Sequence, residues 1–108
     1  MRRVDIVIVA VQGDHGKPRP ALVVQNDLVS SIDTTLVCLT TTNTEIDADF
    51  RLLIMPSLGN GLREQSYVML DKTTMVLRQK CRGVIGRLTA DEMTDIDARL
   101  AFILGLAD

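Results

Sequence analysis

The fold is indicated most clearly by residues 17–26, which read Lys17-Pro18-Arg19-Pro20-Ala21-Leu22-Val23-Val24-Gln25-Asn26. Proline fixes its own φ and pushes the preceding residue into extended geometry, so Arg19, between two prolines, is not expected in a helix. The apolar run that follows is typical of a strand. We therefore expect a strand that begins beside a stiffened arginine, whose guanidinium suits a phosphate. A solubilising strand-edge arginine is the more common explanation for such a residue.

Length and composition predict one domain with an aliphatic core. The chain has 108 residues, of which 46% are apolar and 3% aromatic, enough for one core and too few for two. No apolar run reaches the length of a membrane span and no signal peptide is recognisable, so we expect no membrane association. Cys38 and Cys81 are expected to be free thiols in a reducing cytoplasm.

The charge is unevenly distributed along the chain. The net charge of −2 argues against a nucleic-acid partner when it is taken alone. From Thr89 onward, however, the chain has five acidic residues and a single basic residue, Arg99. The rest of the chain has 11 basic and 9 acidic residues. A locally basic groove is compatible with this distribution, although charge alone does not establish one.

The hydrophobic pattern predicts five to seven short strands. We expect them at Asp5–Val11, Pro20–Gln25, Thr34–Thr40, Arg51–Met55, Ser66–Leu70 and Arg82–Leu88, with Thr73–Val76 as a further short strand. The first strand is almost continuously apolar, which predicts that both of its faces are covered. Glycines in the last strand indicate a bulge or a sharp bend.

A helix is predicted to follow the strands. Thr89 and Glu92 have the spacing of a capping box, and Gly105 is a natural stop. One face of the helix is apolar and comprises Met93, Ile96, Leu100, Ile103 and Leu104. Short strands with one terminal helix describe a small, strongly bent sheet or a half-open barrel.

The residues exclude some kinds of site and leave one group of polar side chains. One histidine and two distant cysteines have no metal-ligand spacing, and no phosphate-binding glycine motif is present. Polar residues do occur at predicted strand ends, namely His15, Lys17, Arg19, Thr40, Thr41, Asn43 and Asp71. Ordinary structural roles are the default for them: a loop histidine, a capped strand end, a turn-forming aspartate.

If the first hairpin lies beside the third strand, Arg19 and Thr40 meet at one edge of the sheet. An arginine with a hydroxyl is suited to stabilising a pentacoordinate phosphate. No metal is needed when the attacking group is the substrate's own 2′-hydroxyl. This pairing permits a ribonuclease without establishing one.

Five segments, in order along nearly the whole chain, resemble the MazF/PemK family of toxin endoribonucleases. They are Arg3-Val4-Asp5-Ile6-Val7, Arg19-Pro20-Ala21-Leu22-Val23-Val24-Gln25-Asn26-Asp27, Cys38-Leu39-Thr40-Thr41-Thr42-Asn43, Ser66-Tyr67-Val68-Met69-Leu70-Asp71 and Ile85-Gly86-Arg87-Leu88-Thr89. The resemblance implies a mainly β, SH3-like barrel of the CcdB/PemK type with a C-terminal helix. It implies a homodimer without cofactor that cleaves single-stranded RNA independently of metal, through 2′-hydroxyl attack to a cyclic phosphate. It also implies a cognate antitoxin whose disordered tail blocks the RNA groove.

The resemblance assigns roles to particular residues. Arg19 matches the family's catalytic arginine, and Thr40 matches the threonine that holds the phosphate, with Thr41 as the alternative. A loop glutamate that is the base in some members is absent here, so Asp14 or His15 must replace it. His15 is preferred because its ordinary pKa lies near neutrality. Contacts with RNA are assigned to Lys17, Thr41, Asn43 and Asp71.

Two further departures concern the family pattern rather than the fold. Many members place an arginine shortly after the acid of the fifth strand, where this chain has Thr73-Thr74, and tryptophan is absent from the first strand.

The first alternative function is that of a non-catalytic, CcdB-like toxin that binds DNA gyrase. The second is an SH3-like interaction module or a family member that has lost its activity. The three scattered aromatic residues argue against a peptide-binding module.

Overall fold

The computed structural model describes residues 1–10, 17–29, 33–43, 45 and 49–107. These residues form one antiparallel sheet followed by a helix. The elements are β1 (Asp5–Ala10), β2 (Pro18–Val23), β3 (Thr34–Thr41), β4 (Arg51–Ile54), β5 (Ser66–Leu77), a 3₁₀ turn (Arg78–Lys80), β6 (Cys81–Arg87) and α1 (Ala90–Ile103). The predicted fold class, mainly β with a C-terminal helix, is confirmed.

The strand order in the sheet is β4-β5-β3-β2-β1-β6. β1 and β2 form the predicted hairpin, in which Val9 lies opposite Arg19, and β2 pairs with β3 through Ala21 and Leu39. Among the described strands β4 and β6 are the two edges, so the sheet is open rather than closed into a complete barrel. The start of β2 and the end of β3 therefore lie side by side near the middle of the sheet.

Both faces of the central strands are covered, as the continuous apolar character of β1 predicts. On one face Ile6, Leu22 and Cys38 pack with Met93 and Ile96 of α1. The other face carries a second buried cluster, formed by Val7, Val9, Ala21, Val23 and Val37. Each fully buried aliphatic side chain contributes roughly 1.5–3 kcal/mol, so the two clusters hold β1, β2 and β3 together as a rigid platform.

β5 is one strand, so the prediction that Thr73–Val76 form a separate strand is wrong. The pairing with β3 nevertheless changes register within it, since Cys38 lies opposite Thr73 but Thr40 lies opposite Val68. The polar residues Asp71 and Lys72, which lie between the two predicted strands, fall in this irregular region. They interrupt the backbone pairing with β3 without ending β5. In β6 the predicted glycine irregularity is confirmed, because the pairing with β1 shifts register twice between residues 81 and 87.

The helix begins and ends as the sequence predicts. The Thr89 hydroxyl accepts from the Glu92 N–H, and the Glu92 carboxylate accepts from the Thr89 N–H. Gly105 adopts φ 75°, and the N–H of Leu106 donates to the carbonyl of Ala101 over 2.8 Å, as in a Schellman motif.

The predicted apolar face of α1 is only partly covered. Met93 and Ile96 are buried and Leu100 packs against the core, whereas Ile103 and Leu104 are 36% and 64% exposed. The last two residues of the predicted apolar face are therefore exposed in the single chain. Within the described part of the chain, no helix has the length and apolar character needed to cross a membrane.

Candidate functional site

Arg19 and Thr40 line one cavity of about 300 Å³, together with Thr42 at the exit of β3. We call this cavity, with its lining residues, the cleft. The pairing of β2 with β3 brings the start of one strand to the end of the other, which is the arrangement that the sequence predicts. The volume is at the lower end of the range for ligand sites, roughly 300–1,000 Å³. The cleft therefore suits a group of modest size, such as one unit of a polymer.

Thr40 is held firmly within the cleft. Its residue is 5% exposed, and its Oγ1 donates a hydrogen bond of 2.7 Å to the carbonyl oxygen of Pro20. Since a hydroxyl has one proton, Thr40 can accept a second hydrogen bond in this state but donates to a ligand only after releasing Pro20. The bond also ties the end of β3 to the start of β2, and so fixes the backbone beside Arg19.

A second wall of the cleft is formed by a segment in which the sequence carries no functional signal. It runs from Pro56 to Gln65, and Gly61, Arg63 and Glu64 of this wall line the cavity beside Ser66, the first residue of β5. No local signal in the sequence shows that this segment lies over the end of β6.

A buried asparagine holds this wall together. Asn60 is 2% exposed, and its Oδ1 accepts from the N–H of Ser57 (3.0 Å) and of Leu62 (2.9 Å). Its Nδ2 donates to the carbonyl of Met55 over 2.9 Å. The segment has no regular secondary structure, and the side-chain amide of Asn60 instead forms the hydrogen bonds that three backbone groups require.

Two glycines allow the wall to lie backbone to backbone on β6. Gly61 has φ 69°, and a Cβ there would lie 2.1 Å from the carbonyl oxygen of Ile85. A Cβ on Gly86 would lie 2.3 Å from the backbone of Asn60. The N–H of Arg87 donates to the carbonyl of Gly59 over 2.9 Å and completes the junction. The wall is therefore fixed to β6 at Gly59, Asn60 and Gly61.

All four residues assigned to RNA contacts lie outside the cleft lining. Lys17 is exposed and immediately precedes β2. The Oγ1 of Thr41 accepts from the N–H of Asn43 over 3.1 Å, and the Oδ1 of Asn43 accepts from the N–H of Glu45 over 3.0 Å. Thr41 and Asn43 therefore stabilise the chain where it leaves β3, and their contacts with RNA stay predictions.

Asp71 is paired with Arg51. The Oδ2 of Asp71 lies 3.3 Å from Nη2 of Arg51, and the arginine side chain is 11% exposed. Asp71 is not among the residues that line the cleft, and its predicted contact with RNA is not tested by this placement. His15 and Asp14, the two candidates for the base, lie outside the described residues.

The two cysteines are separate from the cleft. Burial raises the pKa of the Cys38 thiol, an effect that the hydrogen bond with Thr73 partly offsets. Burial also raises the pKa of Cys81. Thiols that stay protonated are poor nucleophiles, so neither is a candidate catalytic group. In the described ranges no three metal-ligating side chains are grouped in a way that suits a metal ion.

Comparison with known proteins identifies the family. Residues 2–104 match the model of the PemK-like, MazF-like toxins of type II toxin-antitoxin systems. The chain is 38% identical, over 99% of its own length and 99% of the relative's, to a probable endoribonuclease MazF of Mycolicibacterium smegmatis. It therefore belongs to the PemK/MazF toxin family, and the predicted resemblance to this family of endoribonucleases is confirmed.

Solved structures support the same fold. The Mycobacterium tuberculosis toxin MazF-mt6 superposes with a TM-score of 0.81 at 21% identity, covering 96% of this chain and 99% of that one. A mycobacterial endoribonuclease, solved in complex with its cognate antitoxin, gives 0.84 at 22% identity, covering 100% and 98%. A MazE–MazF structure from Deinococcus radiodurans gives 0.78 at 18% identity, covering 99% and 97%.

Proposed function

We propose that this chain is a toxin that cuts single-stranded RNA at a short recognition sequence, without a metal ion. The observation that carries the proposal is the meeting of Arg19 and Thr40 in one cleft. Family membership supports the class of enzyme, and the cleft offers a guanidinium and a hydroxyl that suit a phosphate.

The proposed reaction is an internal transfer of the phosphate. The 2′-oxygen of one ribose attacks the adjacent phosphorus, the bond from phosphorus to the 5′-oxygen breaks, and a cyclic phosphate remains. Arg19 neutralises the charge on the pentacoordinate phosphate and protonates the leaving 5′-oxygen. Thr40 binds a non-bridging oxygen by transferring its hydrogen bond from Pro20 to the phosphate. His15, or else Asp14, takes the proton of the 2′-hydroxyl.

We further propose that the toxin works in the cytoplasm as a homodimer with a cognate antitoxin. Two of the structural neighbours are complexes of a toxin with its antitoxin, which supports a partner of the same kind here. An antitoxin tail would block RNA by occupying the cleft. A dimer is supported by an exposed apolar stripe on β3 and β5, where Leu36, Met75 and Leu77 are 39%, 63% and 42% exposed and Leu36 lies opposite Met75.

The test is cleavage of a long single-stranded RNA by the purified protein in excess chelator. We expect cuts at a few sites, with cyclic-phosphate ends identified by mass spectrometry. Arg19→Ala should lower kcat by roughly 10²–10³-fold, the effect of removing one charge-stabilising donor. Thr40→Ala should have a comparable effect, while Thr40→Ser, which keeps the hydroxyl, should retain activity.

Arg82→Ala is the matched control, since Arg82 is exposed on β6 and is not among the residues that line the cleft. If the Arg19→Ala variant still cuts RNA and the Arg82→Ala variant does not, the active site lies elsewhere in the chain. If the folded wild type cuts no RNA with or without chelator, the ribonuclease proposal fails. Inhibition of gyrase-dependent supercoiling would then become the next measurement.

A further inference from the structure

The arginines of the described chain fall into distinct groups by their partners. Five of them form ion pairs with aspartates: Arg2, Arg3, Arg51, Arg87 and Arg99. Arg63 has no ion-pair or hydrogen-bond partner for its guanidinium among the described residues, and it lines the same cleft as Arg19. Besides Arg19, the cleft therefore contains the guanidinium of Arg63, which forms no ion pair with a carboxylate of the described residues.

The backbone position of Arg63 is fixed from both sides. Leu62, immediately before it, is buried in the core and its N–H is held by Asn60. Three residues later Ser66 is 3% exposed, and its Oγ donates to the carbonyl of Glu64 over 3.0 Å. Arg63 thus projects from an anchored backbone, although its own side chain is exposed. An anchored arginine loses less entropy on binding a phosphate than one on a free loop.

We infer that Arg63 is a second phosphate-binding residue of the cleft, which holds a phosphate of the RNA next to the one at Arg19. The inference rests on the proposed function. Single-stranded RNA presents one negative charge per nucleotide, so a chain that places one phosphate at Arg19 brings a neighbouring phosphate into the cleft that Arg63 also lines. Arg63 binds the substrate and takes no part in breaking the bond. Glu64, which also lines the cleft, opposes this binding through its negative charge.

The test uses fluorescein-labelled single-stranded 2′-O-methyl RNA of mixed sequence, which lacks the attacking hydroxyl and cannot be cut by the proposed reaction. Binding is measured by fluorescence anisotropy at several salt concentrations. Arg63→Ala should weaken binding roughly tenfold and reduce the slope of log Kd against log salt by about 0.7, the value for one phosphate contact on a single strand. Arg63→Lys should restore the slope because it keeps the charge.

Arg82→Ala is again the control, because Arg82 likewise has no ion-pair partner among the described residues but lies away from the cleft. It should leave the slope unchanged. Glu64→Gln should strengthen binding a few-fold, since it removes a like charge from the phosphate's surroundings. With cleavable RNA, Arg63→Ala should raise KM while kcat changes little, in contrast to Arg19→Ala.

The failure of this inference is distinguishable from failure of the proposed function. If the wild type neither binds nor cuts RNA, the proposed function is wrong and this inference falls with it. If the wild type binds but Arg63→Ala has the same affinity and salt slope, or if Arg82→Ala causes an equal loss, the role of Arg63 alone is refuted. A fall in kcat without a change in binding would also overturn it.

Discussion

The contact between Gly61 and β6 gives the sharpest test of how the cleft is built. Gly61 and Gly83 both have positive φ, 69° and 55°. A Cβ on Gly61 would lie 2.1 Å from the carbonyl oxygen of Ile85, whereas a Cβ on Gly83 would meet no atom within 4 Å. The two alanine variants therefore share the cost of a left-handed residue and differ in the cost of the collision.

The expected magnitudes follow from this difference. A left-handed conformation costs a non-glycine residue about 1–2 kcal/mol, which is all that Gly83→Ala should lose. Gly61→Ala must also displace the wall from β6, with an overpacking cost of about 1–3 kcal/mol. Loss of the bond from Arg87 to Gly59 adds about 1 kcal/mol. We expect a total of about 3–6 kcal/mol, a large share of the 5–15 kcal/mol that typically stabilises a domain.

The assay is urea unfolding at one fixed protein concentration, because a dimer's apparent stability depends on concentration. The chain has no tryptophan, so far-ultraviolet circular dichroism is the signal, with fluorescence of the buried Tyr67 as a second probe. If the free energies of unfolding of the two variants agree within about 0.5 kcal/mol, the close approach of the wall to β6 is refuted.

Four further predictions concern the wall, the thiols and the exposed stripe. Asn60→Ala should cost about 2–4 kcal/mol, because it removes three hydrogen bonds, whereas Ser57→Ala, which removes one, should cost about 1 kcal/mol in the same urea assay. Alkylation followed by mass spectrometry should modify Cys81 well before Cys38, which is fully buried. Above about pH 8.5 the thiol of an unfolded chain ionises. Burial raises the pKa of Cys38, so the native state retains this proton and the free energy of unfolding should fall as the pH rises. Cys38→Ala should reduce this dependence of the free energy of unfolding on pH. Met75→Lys should shift the protein from dimer to monomer in analytical ultracentrifugation, and an unchanged dimer would place the interface elsewhere.

The parts of the fold that could be predicted depend on neighbours in sequence. The capping box of Thr89 and the stop at Gly105 involve residues a few positions apart, and both occur as the local pattern indicates. The strand after Arg19 follows from two prolines and an apolar run. The burial of Ile103 and Leu104 could not be judged in this way, since periodicity identifies a face of a helix but not the length of the sheet beneath it.

One side of the cleft could likewise be predicted, because a hairpin and its neighbouring strand bring Arg19 to Thr40. The other side depends on contacts between residues about 25 positions apart, such as Gly61 with Ile85 and Asn60 with Gly86. A glycine in a turn does not indicate which distant backbone will lie against it, so Arg63 and Glu64 carried no signal of a site.

The two sides of the cleft should respond differently to mutation, because they are held in place by different contacts. Arg19 and Thr40 stand on strands that two buried clusters hold in place, so their positions should survive the loss of any single surface contact. Arg63 stands on a wall that depends on one buried amide and two glycine contacts. Loosening that wall should weaken RNA binding before it slows the chemistry, so that Asn60→Ala, while still folded, raises KM more than it lowers kcat. Equal losses in the two parameters would mean that the wall also positions the groups that act on the reacting phosphate.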